Sequence, residues 1–344
     1  MGPSRRTLLN AGVLSIATAI PAWNETVERI ETTSSGRLRR MGDGEIAMVT
    51  AMTQRFSDLD YQLGGRGTRP VAAAFLIDTV VPLLSASGSE HTRSGMFSAA
   101  ANLCYLIGYM AVDDEYQSLG QGYYLKAMEL AKAANDRNAY SLALHGMSSQ
   151  ALQLGRHTTA VALTSAAMAD KRTLESNVRA FLAGQLAYAS ALTGDSRSAL
   201  SSLREAEGEM NKTASSSRVV MGRYREAVLE FDIAHVTYGL GDKTGSLESI
   251  KRYLELRDRR RDRRAVLDGA LLAEREMELG HLEAACATWK NALRAYPAIQ
   301  SGRVDRKITT MMKSLKPFLR NPTARALYEY AHEMTRQRPH ARQT

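Results

Sequence analysis

A turn signal recurs about every forty residues along the middle of this chain, and it limits the fold more than any other feature. The recurring turn positions are Glu115, Gly155, Gly194, Gly241 and Gly280. They are separated by 40, 39, 47 and 39 residues, and the long interval contains the polar stretch 211–217, which is typical of a loop insertion. Glycine suits such a turn because helices often end on a left-handed residue. The spacing predicts helical hairpins in tandem.

Three sets of residues recur at fixed distances along the sequence from these turn positions, and we call each set a column. Seven positions before each turn the residue is small, and the five residues are Gly108, Ser148, Ala187, Ala234 and Ala273. Five positions after each turn it is small again, and the residues are Gly120, Ala160, Ala199, Ser246 and Ala285. Eight positions before, it is large and apolar: Ile107, Met147, Leu186, Ile233 and Leu272. Two antiparallel helices approach closely only where both side chains are small. The pattern is that of tetratricopeptide repeats.

The flanks extend the array at both ends. Segments 43–61 and 69–85 are predicted to form an earlier hairpin. Pro82 should kink the second helix of that hairpin. Segments 303–319 and 323–336 read as a terminal pair, broken before Pro322. We therefore expect an all-α, tetratricopeptide-like right-handed superhelix of about seven hairpins.

Residues 42–344 should form this repeat domain, and residues 1–41 a poorly ordered N-terminal segment. The N-terminal segment contains Arg5 and Arg6 followed by the apolar run 11–22, which resembles a twin-arginine export signal with a possible cleavage site near Ala19. That run is too short to span a membrane, and no later stretch suggests integral membrane association. Export is therefore the alternative to a cytoplasmic location.

The net charge of +9 raises the question of an acidic partner. Residues 301–344 hold ten Lys and Arg against three acids, and residues 257–264 hold six Arg and two Asp. We interpret these as a basic tail and a solvated turn, because no aromatic residue interleaves the arginines as single-stranded nucleic acid binding would require.

The inner groove is the candidate binding site, because helix A of each hairpin lines it in this repeat. Aromatic residues form only 6% of the chain, yet they gather at the positions that should face the groove. The candidate residues are Tyr105, Tyr109, His145, Tyr188, Phe231, His235 and Tyr238. They could hold a peptide, a small signal molecule or a protein partner. The alternative is that a tight superhelix packs these side chains against one another.

Catalytic signatures are missing from the sequence. It has no Gly-rich phosphate loop and no Gly-x-Ser-x-Gly. The two cysteines, Cys104 and Cys286, read as buried apolar residues. The acidic triplet 113–115 should cap the following helix. We expect no enzyme activity, no metal and no cofactor.

One family resemblance extends over roughly residues 42–300. The motifs that carry it are Phe56-x-x-Leu59-Asp60-x-x-Leu63-Gly64-Gly65, Val81-Pro82-Leu83-Leu84, Leu106-Ile107-Gly108-Tyr109-Met110-Ala111-x-Asp113, and Tyr123-Tyr124-x-x-Ala127. They resemble the tetratricopeptide-repeat sensor region of actinobacterial, Streptomyces-type helix-turn-helix transcriptional regulators.

The resemblance implies a regulatory interaction protein, acting in transcriptional or developmental regulation. Members of that family commonly carry a DNA-binding domain before the repeats. Only about forty residues precede the first predicted hairpin here, and they lack that pattern, which argues against direct DNA binding. Two hypotheses follow. The first is a cytoplasmic protein whose groove binds a ligand or partner, and the second is an exported scaffold protein. A homodimer is compatible with the first.

Overall fold

A computed structural model describes residues 41–212, 224–257 and 263–337 of the 344-residue chain. These ranges are all-helical and contain no β-strand, which confirms the predicted all-α class. The twin-arginine-like stretch and its cleavage site lie outside the described residues, as does the centre of the arginine-rich segment.

Helices make up most of the described residues. In chain order they are α1 (Asp43–Leu63), α2 (Gly65–Phe75), a π-helical turn (Leu76–Val80), α3 (Val81–Leu84), α4 (Glu90–Asp113), α5 (Gln117–Ala133), α6 (Arg137–Gln153) and α7 (His157–Ala167). There follow α8 (Ser176–Leu192), α9 (Ser196–Lys212), α10 (Glu226–Gly239), α11 (Lys243–Leu256), α12 (Arg263–Glu278), α13 (Leu282–Leu293), α14 (Gly302–Leu315) and α15 (Pro322–Arg336). The pairs α4–α5, α6–α7, α8–α9, α10–α11 and α12–α13 pack as hairpins.

The predicted turn positions are confirmed by the backbone. All five have a positive φ, from 67° at Glu115 to 92° at Gly241. Glu115 adopts this angle without being glycine, which is uncommon for a residue with a side chain. The turn between α5 and α6 is also left-handed, at Asn135 with φ 54°.

The small residues meet where the sequence pattern predicts. A Cβ added to Gly120 would lie 2.5 Å from Cγ2 of Val112 and 3.0 Å from the carbonyl oxygen of Gly108. In the next hairpin the Ser148 hydroxyl donates to the carbonyl of Ala160 at 3.0 Å. The Ser246 hydroxyl donates across α10–α11 to a backbone carbonyl in the same way. Small side chains therefore set the distance between the helices of each hairpin.

The column of large apolar residues is less uniform than predicted. Ile107 and Met147 are buried, whereas Leu186, Ile233 and Leu272 keep part of their surface exposed. The gap-filling role expected of this column therefore holds fully only in the first two of these hairpins.

The N-terminal hairpin is distorted just before Pro82. The helix widens into a π-helical turn at Leu76–Val80, where the amide of Val81 donates to the carbonyl of Leu76. Pro82 then lies in the first turn of α3, where its missing N–H is tolerated. The predicted kink is thus a π-type bulge, a common cause of helix bending.

The buried apolar side chains of the described residues form two large clusters and a small one. The largest is built from residues between Met41 and Leu229, and the second from residues between Val266 and Ala331, including Trp289. The small cluster contains Ala187, Ala191, Ala199 and Val236. Both cysteines are buried, as predicted, and neither forms a disulfide.

Two helical stretches, Gly65–Leu84 and Glu90–Asp113, are long and apolar enough to cross a membrane. About 72% of the apolar window in Glu90–Asp113 is buried against other helices, compared with 33% in Gly65–Leu84. Length and composition alone are weak grounds for a membrane span, because core helices pass the same test.

Candidate functional site

The seven predicted groove residues come from α4, α6, α8 and α10. Tyr105 and His145 are buried, with 6% and 8% of their surface exposed. The other five are half-buried: Tyr109, Tyr188, Phe231, His235 and Tyr238. Each of these five residues therefore keeps part of its surface exposed.

Three of the seven rings, those of Tyr188, Phe231 and His235, contact one another. The ring of His235 stacks on Tyr188 at 4.5 Å and meets Phe231 edge-on at 4.4 Å, and Phe231 lies 5.2 Å from Tyr253. These contacts show that aromatic side chains pack against one another, which is the alternative interpretation of the sequence pattern. Binding at a groove stays a prediction.

A second group of rings lies deeper. His145 meets Phe181 edge-on at 6.4 Å, and Phe181 meets Tyr224 edge-on at 5.1 Å. Nδ1 of His145 is buried and has no hydrogen-bond partner among the described residues. Burial lowers the pKa of His145 to about 4, so the ring is neutral at physiological pH.

The deeper group includes a carboxyl group that the sequence did not single out. The Tyr224 hydroxyl donates to Oδ2 of Asp232 at 2.5 Å. Burial raises the pKa of Asp232 to about 7. Its carboxylate occupies the space beside Gly184, where a Cβ would collide with Oδ2. Only a glycine on α8 leaves room for this carboxyl group.

Three arginines from α12 stack on the groove aromatics. The guanidinium carbon of Arg275 lies 3.2 Å from the ring centroid of Tyr238. That of Arg264 lies 4.5 Å from Phe231, and that of Arg263 lies 5.3 Å from Tyr109. Each pairing brings a cation to an aromatic face, which is favourable in itself.

Arg263 joins the two ends of the array. Its Nη2 lies 2.8 Å from Oδ2 of Asp60 on α1, and its Nη1 lies 2.6 Å from Oδ1 of Asp113 on α4. Arg303 from α14 reaches the same Asp113 oxygen at 3.1 Å. The side chains of Arg263, Asp60 and Asp113 are each at most 5% exposed.

The pKa values in this cluster follow from burial and the paired charges. Burial raises the pKa of Asp60 to about 6, although Arg263 opposes the shift. Burial acts on Asp113 in the same direction, but Arg263 and Arg303 outweigh it and hold the pKa of Asp113 below its ordinary value. Asp113 is therefore the ionised partner that both arginines share.

A second set of contacts lies next to the Arg263 cluster. Arg66 binds Asp114 at 2.8 Å and Asp305 at 3.0 Å, so it connects α2 to both α4 and α14. The Gln300 amide donates to the carbonyl of Leu63 at 2.5 Å. We call residues 60–66, 109–115, 263 and 300–306 together the end junction.

Gly64 is required at the end junction for two reasons. Its φ is 101°, and a Cβ there would lie 2.4 Å from the carbonyl oxygen of Gln300. Gly65 behaves similarly, since its Cβ would lie 2.6 Å from the carbonyl oxygen of Met110. Asp60, Gly64 and Gly65 belong to the first motif of the family resemblance, so the junction explains that motif physically.

Two expectations about charged segments need correction. The segment 257–264 was expected to be a solvated turn, but the side chains of Arg257 and Arg263 are only 9% and 5% exposed. The acidic triplet was expected to cap α5, but no side chain caps that helix. Asp113 and Asp114 bind arginines of the end junction instead. Buried cations need carboxylate partners, and these came from helices distant in sequence.

The described residues contain no group of three or more His, Cys, Asp or Glu that could hold a metal ion. No protein-family model matches the chain, and no curated protein matches it either.

Proposed function

We propose that this chain is a tetratricopeptide-like, right-handed superhelix of about seven hairpins that works as a non-enzymatic interaction protein. Its inner face binds a peptide, a small signal molecule or a protein partner. In keeping with the resemblance to the sensor region of actinobacterial helix-turn-helix regulators, the binding serves transcriptional or developmental regulation in the cytoplasm.

The observation that supports this proposal is a set of five half-buried aromatic residues at positions that the repeat pattern assigns to the inner face. Tyr109, Tyr188, Phe231, His235 and Tyr238 come from three different helices, and each keeps part of its surface exposed. Rings held by neighbouring rings lose little entropy on binding, so a preorganised aromatic surface favours affinity.

Direct DNA binding is not part of the proposal. Arg303, Arg306 and Lys307 contribute to the basic C-terminal count, but in the structure they bind Asp113, Glu115 and Glu274. These pairings reduce the charge that α14 could offer to phosphates.

The test is capture of partners from the native host with the tagged full chain. Bound molecules would be identified by mass spectrometry for the wild type and for the double variant Tyr188→Ala, His235→Ala. We expect the double variant to lose the bound ligand or partner, because it removes two stacked rings from the inner face.

Tyr116→Ala is the matched control, since the Tyr116 side chain is 50% exposed and lies outside the candidate groove set. It should retain all partners. If the double variant folds and retains every partner of the wild type, the inner-face assignment is wrong. Intact-mass analysis of the same bait also tests the location, because trimming near Ala19 would show export.

A further inference from the structure

The end junction contains two buried carboxyl groups that share one guanidinium group. Nη2 of Arg263 lies 2.8 Å from Oδ2 of Asp60, and Nη1 of Arg263 lies 2.6 Å from Oδ1 of Asp113. The side chains of Asp60 and Asp113 are only 4% and 1% exposed. When two carboxylates approach the same cation in a site that excludes water, their repulsion and their desolvation favour a proton on one of them.

The contacts of the two carboxyl groups are unequal. Oδ1 of Asp113 also lies 3.1 Å from Nη2 of Arg303, and Oδ2 of Asp113 accepts from the amide of Gly65 at 3.4 Å. Among the described residues, Asp60 has an ion pair with Arg263 alone, and its Oδ1 is buried without a hydrogen-bond partner. Because the second cation favours the ionised form of Asp113, Asp60 is the group that takes the proton.

The surroundings of Asp60 come from four other helices. The titratable and charged groups that face it are Arg263 of α12, Arg303 of α14, Asp113 and Tyr109 of α4, and Tyr124 of α5. Burial raises the pKa of Asp60 to about 6, the two arginines oppose the shift, and the charge of Asp113 reinforces it. The pKa thus agrees with the unequal contacts of the two carboxyl groups.

Two further acids lie at the same end of α4. Asp114 binds Arg66 of α2 at 2.8 Å, and Glu115 lies 3.3 Å from Arg306 of α14. Burial raises the pKa of both carboxyl groups. Their response to pH therefore has the same sign as that of Asp60.

Closure of the end junction is linked to the protonation of Asp60. When α1 separates from α12, water reaches Asp60 and its pKa returns toward the ordinary value of 3.8. The closed junction therefore holds the proton more tightly than the open junction. The contribution of this proton to closure is largest at low pH and is lost as the pH rises through about 6.

We propose that the end junction is a proton-dependent switch, in which protonation of Asp60 holds α1 against α12 and its ionisation loosens this contact. The switch reaches the candidate groove, because the Tyr109 hydroxyl lies 3.5 Å from Nη2 of Arg263 and 3.4 Å from Nη2 of Arg303. The inference concerns the closure of the array, and it stands whether or not the inner face binds a ligand.

Two amides report on the state of the junction, because their hydrogen bonds cross it. The amide of Arg66 donates to the carbonyl of Gln300, and the amide of Gln300 donates to the carbonyl of Leu63. Hydrogen–deuterium exchange of the full chain would be measured between pH about 5 and about 8, with rates corrected for the pH dependence of an unstructured peptide. We expect the protection of these amides to fall about tenfold over this range, because the pKa of Asp60 moves from about 6 to 3.8 on opening.

Variants connect the pH dependence to one carboxyl group. Asp60→Asn should lose most of it, because asparagine is neutral throughout this range, and the remainder reports Asp114 and Glu115. Asp58→Asn is the matched control on the same helix, since the Asp58 side chain is 45% exposed, and it should keep the full change. Near-ultraviolet circular dichroism shows whether each variant is folded, and Asp60→Ser takes the place of Asp60→Asn if the latter does not fold.

Four outcomes would overturn the inference. Two concern the wild type, namely protection of the junction amides that does not change with pH, or that rises with pH. The third is a tenfold change that survives in the Asp60 variant. The fourth is an equal change in α6 to α9, which would mean that the whole protein responds to pH rather than the junction.

Discussion

The guanidinium of Arg263 lies 2.8 Å from the carboxylate of Asp60, 203 residues earlier in the chain. This pair brings the start of α12 against the end of α1, so the helical array returns to its own N-terminal hairpin. Ion pairs and two backbone hydrogen bonds, from Arg66 to Gln300 and from Gln300 to Leu63, connect the parts of the end junction.

Asp113→Asn should destabilise the protein strongly. The substitution leaves Arg263 buried, and Arg303 partly buried, beside a neutral amide, and breaking a buried pair in this way costs about 3 kcal/mol or more. Urea denaturation measures the free energy of unfolding. Asp58→Asn is the control, because its pair with Arg55 is exposed and its loss should change stability by less than about 0.5 kcal/mol. Equal effects of the two substitutions would contradict the importance of the junction.

Gly64→Ala should open the end junction without unfolding the rest. The new Cβ would meet the carbonyl oxygen of Gln300 at 2.4 Å. We expect faster amide exchange at 60–66 and 300–305, measured by hydrogen–deuterium exchange, and unchanged exchange in α6 to α9.

Gly155→Ala separates backbone strain from the collision at the junction. Gly155 also has a positive φ, of 70°, but nothing lies within 4 Å of its added Cβ. The variant should be less stable than the wild type and keep slow exchange at the junction. If amide exchange at 60–66 is also slow in Gly64→Ala, the junction tolerates that substitution.

Gly120→Ala should destabilise the α4–α5 hairpin by about 1–3 kcal/mol, because the added methyl group overlaps Val112 and forces the helices apart. The same substitution at Gly208, within α9, meets no atom within 4 Å. There it should raise stability by about 1 kcal/mol, since alanine is the better helix former. Thermal and urea unfolding of the two variants should therefore shift in opposite directions.

Asp232→Asn should stabilise the protein at high pH. The pKa of Asp232 is raised from 3.8 to about 7 by burial, so the folded state holds the proton more tightly than the unfolded state. The stability from Asp232 is present at low pH and is lost as the pH rises through about 7. Asparagine stays neutral and can still accept from Tyr224.

The measurement is urea denaturation of Asp232→Asn and the wild type at several pH values. The variant should be more stable at pH about 8, by on the order of 2 kcal/mol, with the difference vanishing near pH about 4. A difference that does not vary with pH would show that Asp232 is ionised in the folded protein throughout this range.

Local and nearest-neighbour features were predictable from the sequence. The left-handed turn residues and the small residues at each hairpin crossing lie within about twenty residues of one another, so a periodic pattern exposes them. Glu115 was placed correctly by spacing alone, although it is not glycine. The same spacing predicts seven groove residues, of which five are half-buried while Tyr105 and His145 are buried, and the groove itself stays a prediction.

The charged residues were not predictable in this way. Arg263 looks like one member of a solvated basic segment, and nothing in its neighbourhood in the sequence identifies Asp60 or Asp113 as partners. Likewise, neither the residue type of Asp232 nor its position in the sequence predicts that it lies next to Tyr224 and Gly184.

The sequence by itself determined the repeating hairpins of this protein, because each depends on helix ends and on close contact between neighbouring helices. Only the tertiary structure decided which charges are buried, which carboxylates pair with them, and how α1 and α2 meet α12 and α14. The physical reason is that burial and ion pairing depend on which distant helices exclude water from a side chain, and spacing along the chain carries no record of that.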